Sequence, residues 1–336
     1  MALSRILGTG IYVPGEPINN EELMELTGIQ FDAQRYREKL GIHKRHIAKL
    51  RNIDETTADF AEKAARAALE DAGLSPEDIQ LIVVATDTPE FISPATSILV
   101  QGRLMGGQAN CGAFDINATC AGFTTAFDTV SRIVSCDPGI RNALVIGVYN
   151  MPAFVRDGDT FGYSIFADGA GAFVISRSGE EDGGHYVQGY SVADGTQWDY
   201  VGVYSGGTRQ PVTRERLDQG KYGLELLQRL PGDRNVKLWP PIVHGLLSRA
   251  GWSLDQVDHF IFTQINRDVI NQVMDVLEVS REKTTTIMDS YGYTGSGCIP
   301  MAFHHAVKQQ RIKSGDRVCF VASGAGLAVA SNLFVY

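Results

Sequence analysis

Cysteine is scarce in this chain. The 336 residues hold five, Cys111, Cys120, Cys136, Cys298 and Cys319, an odd number with no zinc-type spacing between any pair. That pattern disfavours both a disulfide framework and a structural zinc site. The seven histidines form no HxxxH or HExxH pattern. The adjacent pair His304-His305 would point to different sides of a helix, so no metal is expected. Long apolar runs are also missing. None approaches membrane-spanning length, and the opening residues run into Ile11-Tyr-Val-Pro14 as a strand and turn, with no signal-like apolar region. An excess of positive charge is missing too. The net charge of −9 argues against a nucleic-acid footprint and weakly against an anionic membrane surface. The expectation is a protein of the reducing cytoplasm that works on neither nucleic acid nor membrane.

What is present is ordinary in bulk, with 44% apolar and 21% charged residues. A chain of this length can bury a substantial core without disulfides. The 36 glycines point to tight turns and close backbone approaches. Strands are expected at 3–14, 79–85, 113–116 and 143–148, and helices at 57–72 (stopped by Gly73), 97–105 and 121–134. Asn20 is expected to cap a short helix. A further helix is expected from about Leu224, interrupted by Pro231, Pro240 and Pro241. Residues 178–222, polar and glycine-rich, read as strands and loops over a site or as a crossover between halves. The charged stretch 31–53 reads as a solvated face or as a basic rim for a phosphorylated ligand.

One stretch organises the rest, Asp115-Ile-Asn-Ala-Thr-Cys-Ala-Gly-Phe-Thr-Thr-Ala-Phe127. Phe123, Ala126, Phe127, Val130, Ile133 and Val134 recur at helical spacing. Cys120 therefore sits at a strand-to-helix turn, beside the free N–H groups of a new helix. That location is expected to lower the thiol's pKa and make Cys120 a nucleophile.

The second half repeats the first. Ala72-Gly73-Leu74-Ser75 overlies Ala250-Gly251-Trp252-Ser253, 178 positions further on, and each leads from a helix through an acidic turn to a buried strand. Arg141-Asn-Ala-Leu-Val-Ile146 and Asp316-Arg-Val-Cys-Phe-Val321 match in the same way. Two similar α/β units follow, 1–178 and 179–336, with largely parallel sheets packed around shared central helices. Ligands in such folds sit at strand C-termini near the junction, where Cys120 already lies.

In this order and spacing the motifs resemble the thiolase superfamily, and within it the β-ketoacyl-ACP synthase III branch of condensing enzymes. The resemblance runs over nearly the whole chain. It rests on Ile6-Leu-Gly-Thr-Gly-Ile-Tyr-Val-Pro14, Lys39-Leu-Gly-Ile-His-Lys-Arg-His-Ile47, Val84-Ala-Thr-Asp-Thr-Pro89 and the Cys120 motif. Ile165-Phe-Ala-Asp-Gly-Ala-Gly-Ala172, Gly206-Gly-Thr-Arg-Gln-Pro211, Tyr291-Gly292, Ile299-Pro300 and Ser323-Gly-Ala-Gly326 complete it.

The resemblance implies a thiolase fold, with duplicated βαβαβ halves in a five-layer α-β-α-β-α arrangement. It implies an acyltransferase that forms an acyl-Cys120 intermediate from an acyl-CoA or acyl-carrier-protein thioester, in fatty acid, polyketide or secondary metabolism. No cofactor beyond that substrate is implied, and a homodimer is, with Gly106-Gly107 to Ala113 as a candidate dimer edge. Backbone N–H groups of Cys120 and of Ala325, in the Gly324-Ala-Gly326 turn, would form the oxyanion hole. Two family positions depart. Thr263 stands where the family His is expected and Tyr293 where its Asn is expected. A Thr hydroxyl cannot replace an imidazole as a base, so the reading is a condensing enzyme or acyltransferase that passes the acyl group to oxygen, nitrogen, sulfur or an already nucleophilic carbon, with generic decarboxylative 3-oxoacyl synthesis left open. The donor site departs too. Arg35 falls near the family's adenine-stacking Trp, and Asp268 falls where a family Arg is expected. Arg35, Arg37 and Lys39 could still meet a phosphate. Asp87 follows a buried strand and could approach Cys120, as an acidic residue does in the HMG-CoA synthase branch. The alternative is a non-catalytic or half-catalytic partner subunit of a heteromeric condensing complex.

Overall fold

The computed structural model describes residues 3–107, 110–179 and 183–336. Its main strands are β1 (Leu3–Tyr12), β2 (Leu81–Ala85), β3 (Gly112–Ile116), β4 (Asn142–Tyr149), β5 (Gly169–Ser178), β6 (His185–Gln197), β7 (Val201–Val203), β8 (Leu224–Leu226), β9 (His259–Phe262), β10 (Arg317–Gly324) and β11 (Gly326–Val335). Its main helices are α1 (Thr57–Ala72), α2 (Thr96–Met105), α3 (Gly122–Cys136), α4 (Arg234–Ala250), α5 (Arg267–Val276) and α6 (Cys298–Lys308).

One sheet has the order β1-β5-β4-β2-β3 and the other β9-β10-β11-β6. Helices α3 and α6 lie between them, α1 and α2 cover the outer face of the first, and α4 and α5 cover the second. The layers therefore run α-β-α-β-α. The sheets are mixed, which corrects the expectation of largely parallel ones. Among the described strands of the two sheets, only β4/β2, β2/β3 and β9/β10 pair in parallel. β10 and β11 are joined by a turn at Ala325, and so short a connection permits only antiparallel pairing.

The repeat is visible atom by atom. Gly73 and Gly251 take left-handed φ values of 67° and 69° as the C-caps of α1 and α4. After each comes the same box. The Ser75 N–H donates to Asp78 Oδ2 and the Ser253 N–H to Gln256 Oε1, both at 2.9 Å. Buried phenylalanines fasten the central helices to both sheets. Phe127 on α3 and Phe303 on α6 meet Phe173 of β5 at ring distances of 5.8 and 5.1 Å, and Phe334 of β11 at 5.4 and 5.6 Å. Each fully buried phenylalanine contributes about 1.5–3 kcal/mol.

Three local expectations change. The short N-terminal helix Asn20–Thr27 is capped by Asn19, whose side chain accepts from the Glu22 N–H, and Asn20 is its first buried residue. Residues 224–226 form a strand, and α4 then runs through Pro240 and Pro241 without a break. An interior proline costs about 3 kcal/mol. Here Trp239, Ile242, Val243, Leu246 and Leu247 are buried along the same helix and offset that cost. Gly106 is the C-cap of α2, and the strand at the proposed dimer edge begins only at Gly112. Residues 108 and 109 of that edge lie outside the described residues.

Candidate active site

The parallel strands bring the site together. Ala85 pairs with Ile116 on one side and Gly147 on the other. Asp87, Cys120 and Tyr149 follow or end these three neighbouring strands, on one edge of the first sheet. In the second sheet Phe262 pairs with Val321, which puts Thr263 beside Ser323. The two sets of strand ends face a common cavity of about 280 Å³. Asp87, Cys120, Tyr149, Thr263, Tyr293 and Gly324 line it, as does Ala325. Its apolar wall includes Met151, Phe161, Phe166, Val201, Leu224 and Leu230. The glycine-rich segment 178–222 thus supplies part of the cover through β7, and β8 just beyond it supplies more.

The turn that carries Cys120 is tight and strained. Thr119 has φ of +50°, a region that a β-branched residue rarely occupies. Its N–H donates to Asn117 Oδ1 at 3.0 Å, and its hydroxyl donates to the Ala118 and Ala325 carbonyls at 2.8 and 3.2 Å. Gly324 crosses directly over this turn. A Cβ there would lie 1.8 Å from Thr119 Oγ1 and 2.8 Å from the Cys120 nitrogen. Asp115, earlier in the motif, caps α2 by accepting from the Thr96 and Ser97 N–H groups at 2.7 and 2.8 Å.

The electrostatics correct the expectation for Cys120. Desolvation and the Asp87 carboxylate push its thiol well up, and the Tyr293 hydroxyl, donating toward the sulfur, pulls it down. The first turn of α3 does not outweigh the burial. Burial also pushes Asp87 up to about 6, and its Oδ1 is buried without a hydrogen-bond partner. At neutral pH the pair therefore holds one carboxylate and one thiol. Tyr293 is 2% exposed, and its ring lies 6.2 Å from Tyr149 and 5.8 Å from Phe166. Burial and the neighbouring Cys120 push its phenol well up, so it stays a donor. Thr263 is already engaged: its Oγ1 accepts from the Ser323 N–H at 2.9 Å. Ser323 Oγ in turn accepts from Trp239 Nε1 and donates to Asn235 Oδ1. Cys298 is buried and pushed up to about 12, as a core thiol would be.

Among the described residues lining the cavity there is no histidine. Buried His259 bonds Thr285 Oγ1 at 2.8 Å, and half-buried His304 bonds Thr9 Oγ1 at 2.9 Å, each pushed down to about 4 by desolvation. No cluster of metal ligands occurs among the described residues, and no helix is long and apolar enough to cross a membrane. The basic stretch 31–53 divides. Arg35 and Lys39 line a separate groove with Asn266 and Asp268, away from Cys120. Arg37 pairs with Glu21 on the surface. Arg45 is fully buried and donates to the Ser164 carbonyl at 2.9 Å, a structural role that its charge conceals in the sequence. Arg234 and Asn235, at the start of α4, also line the Cys120 cavity. No motif marks them.

With this geometry in view, the comparisons with known proteins are decisive. The family model described as 3-Oxoacyl-[acyl-carrier-protein (ACP)] synthase III matches residues 114–195, and the model of its C-terminal part matches residues 247–336. A β-ketoacyl-[acyl-carrier-protein] synthase III of Caldanaerobacter subterraneus subsp. tengcongensis is 32% identical over 98% of this chain and 96% of its own. The chain belongs to the 3-oxoacyl-[acyl-carrier-protein] synthase III family. The crystal structure of the Aquifex aeolicus 3-oxoacyl-[acyl-carrier-protein] synthase III superposes with a TM-score of 0.85 at 30% identity, covering 99% of this chain and 100% of that one. The priming β-ketosynthase of the R1128 polyketide pathway superposes with a TM-score of 0.86 at 27% identity, covering 99% and 96%. This synthase III chain has the thiolase fold that its motifs implied. Within that fold it presents Cys120 to Asp87, Thr263 and Tyr293.

Proposed function

We propose that the chain is an acyltransferase that takes an acyl group from a coenzyme A or carrier-protein thioester onto Cys120 and passes it to a second nucleophile. The observation that carries this reading is the placing of Cys120 and Asp87 in one cavity, a raised thiol with a buried carboxylate whose Oδ1 has no hydrogen-bond partner. Asp87 accepts the thiol proton, directly or through one water, as the sulfur attacks the thioester carbonyl. The new S–C bond forms, the old one breaks, and the departing thiolate takes the proton. The backbone N–H groups of Cys120 and Ala325 hold the oxyanion. The groove at Arg35 and Lys39 receives the phosphates of the donor.

The second half-reaction differs from ordinary condensation. Removing one oxyanion donor costs about 2.7–4 kcal/mol. Thr263 Oγ1 accepts from the Ser323 N–H and keeps a single uncharged O–H donor, and the Tyr293 hydroxyl is turned to Cys120, so the pair offers an enolate less than the imidazole and amide of His and Asn would. The favoured acceptors are oxygen, nitrogen or sulfur nucleophiles, or a carbon already nucleophilic. The reading as a partner subunit rests on the same two replacements. A homodimer is part of our reading, with the edge strand β3 and its half-exposed Phe114 as the contact.

The test is to load Cys120 with an acyl group and then offer malonyl-carrier protein or small O-, N- and S-nucleophiles. Transfer to a nucleophile without carbon dioxide release supports the reading. In the Thr263→His/Tyr293→Asn protein malonyl decarboxylation should rise. Efficient decarboxylation by the wild type would overturn it.

A further inference from the structure

Arg234 is the one cation lining the Cys120 cavity among the described residues, and nothing in the acyl-transfer chemistry above uses it. It opens α4 directly after Asp233. Its Nε and Nη2 atoms are buried and have no hydrogen-bond partner. The acidic group that faces it, Asp194, is already occupied. Asp194 Oδ1 accepts from the Thr196 N–H and hydroxyl at 3.0 and 2.6 Å, and Oδ2 accepts from Gln197 Nε2 at 2.8 Å. Tyr200 is the other group facing the guanidinium. A guanidinium presents a planar fork of donors that matches a carboxylate in bidentate fashion, and on this half-buried side chain the two buried donors Nε and Nη2 left unpaired are unfavourable. The rest of the cavity sharpens the point. Among the described lining residues the one carboxylate, Asp87, shares the cavity with Cys120, and the apolar residues Val201, Val203, Leu224 and Leu230 share the lining with Arg234. An anionic end of a substrate is repelled from Asp87 and drawn to Arg234, which turns the opposite end toward the sulfur.

We propose that Arg234 receives a carboxylate at the far end of the acyl group, so that the preferred donors are monothioesters of dicarboxylic acids. The inference rests on the acyl-Cys120 reading. In the step itself the Cys120 sulfur bonds the thioester carbonyl, the carbon–sulfur bond to coenzyme A breaks, and coenzyme A leaves as the thiol with the proton of Cys120. The distal carboxylate stays ionised on Arg234 throughout and is not lost.

The experiment compares acylation rates by intact-protein mass spectrometry with succinyl- and glutaryl-CoA against butyryl- and pentanoyl-CoA. Wild type, Arg234→Met and Arg234→Lys are run together. Wild type should favour the dicarboxylyl donors at least about 10-fold, as expected for a charge-assisted pair. Arg234→Met should lose that preference, its folding checked independently by circular dichroism and urea unfolding, and Arg234→Lys should keep part of it. An unchanged ratio in Arg234→Met, or a wild-type preference for the neutral donors, overturns the inference. If no donor acylates wild type, the acyl-transfer reading fails separately. Calorimetric titration of Cys120→Ala with glutaryl-CoA then decides the matter: binding weakened by adding Arg234→Met sustains the carboxylate site, and equal binding overturns it.

Discussion

Asp87 and Cys120 follow neighbouring parallel strands, and burial first, then the carboxylate of Asp87, raises the thiol pKa of Cys120. The usual route to a reactive cysteine is a thiolate formed in advance. This site instead holds the proton on sulfur and sets in the same cavity a buried acid whose Oδ1 has no hydrogen-bond partner.

The same arrangement costs stability. Asp87 is raised from 3.8 to about 6 in the folded chain, so the native state binds its proton more tightly than the unfolded state does. Its stabilising share is present in full below about pH 4 and is lost as pH rises toward 6 and beyond. Asp87→Asn should therefore be more stable than wild type at pH 7, by up to about 3 kcal/mol. The gain should shrink to nothing near pH 4. Urea unfolding at the two pH values measures it, and a gain equal at both would show that the charge is not responsible.

Tyr293 has two separable roles, ring packing and hydroxyl donation. Tyr293→Phe keeps the contacts to Tyr149 and Phe166 and removes the donor toward Cys120. We expect a folded protein whose thiol is harder to ionise, with acylation at pH 7 slower by roughly 10-fold, about the worth of one hydrogen bond to a charged group. Thiol titration with an alkylating reagent should show its rising limb displaced to higher pH. An unshifted limb would mean that the hydroxyl does not serve the sulfur.

Gly324 cannot carry a side chain. Its Cβ would collide with Thr119 Oγ1, the Cys120 nitrogen and the Ala118 carbonyl. Gly324→Ala should push the Ala325 turn off the nucleophile and lower acylation by at least about 100-fold, the scale of a lost oxyanion donor. Near-normal acylation by that variant would separate the turn from the oxyanion hole.

Much of this was legible in the chain. The apolar period of α3, the Gly73 stop and the Ala-Gly-x-Ser repeat gave elements whose ends fall within a few residues of those observed, because local periodicity and capping are written in neighbouring residues. Thr263 and Tyr293, singled out by motif order, both line the Cys120 cavity. The rest depends on what packs around a residue. Pro240 and Pro241 read as breakers, yet the buried face of α4 overrides them. The helix start at Cys120 read as a thiol-lowering device, but desolvation there is larger. Arg45 read as part of a charged face and is in the core. Arg234 and Asn235 carry no motif, and only the approach of α4 to the ends of β9 and β10 brings them to the cavity.

The most direct test of the account is the pH dependence of Cys120 acylation, followed by intact-protein mass spectrometry with a panel of acyl-CoA and acyl-carrier thioesters. Wild type should gain one acyl mass, and Cys120→Ala none. The wild-type rate should fall as pH drops through about 6, where Asp87 takes up its proton. Asp87→Asn should lose that limb and about 100-fold or more of the rate at pH 7, as for a missing general base. An Asp87→Asn protein that acylates as fast as wild type with the same pH profile would contradict the account, as would an acyl mass that survives in Cys120→Ala.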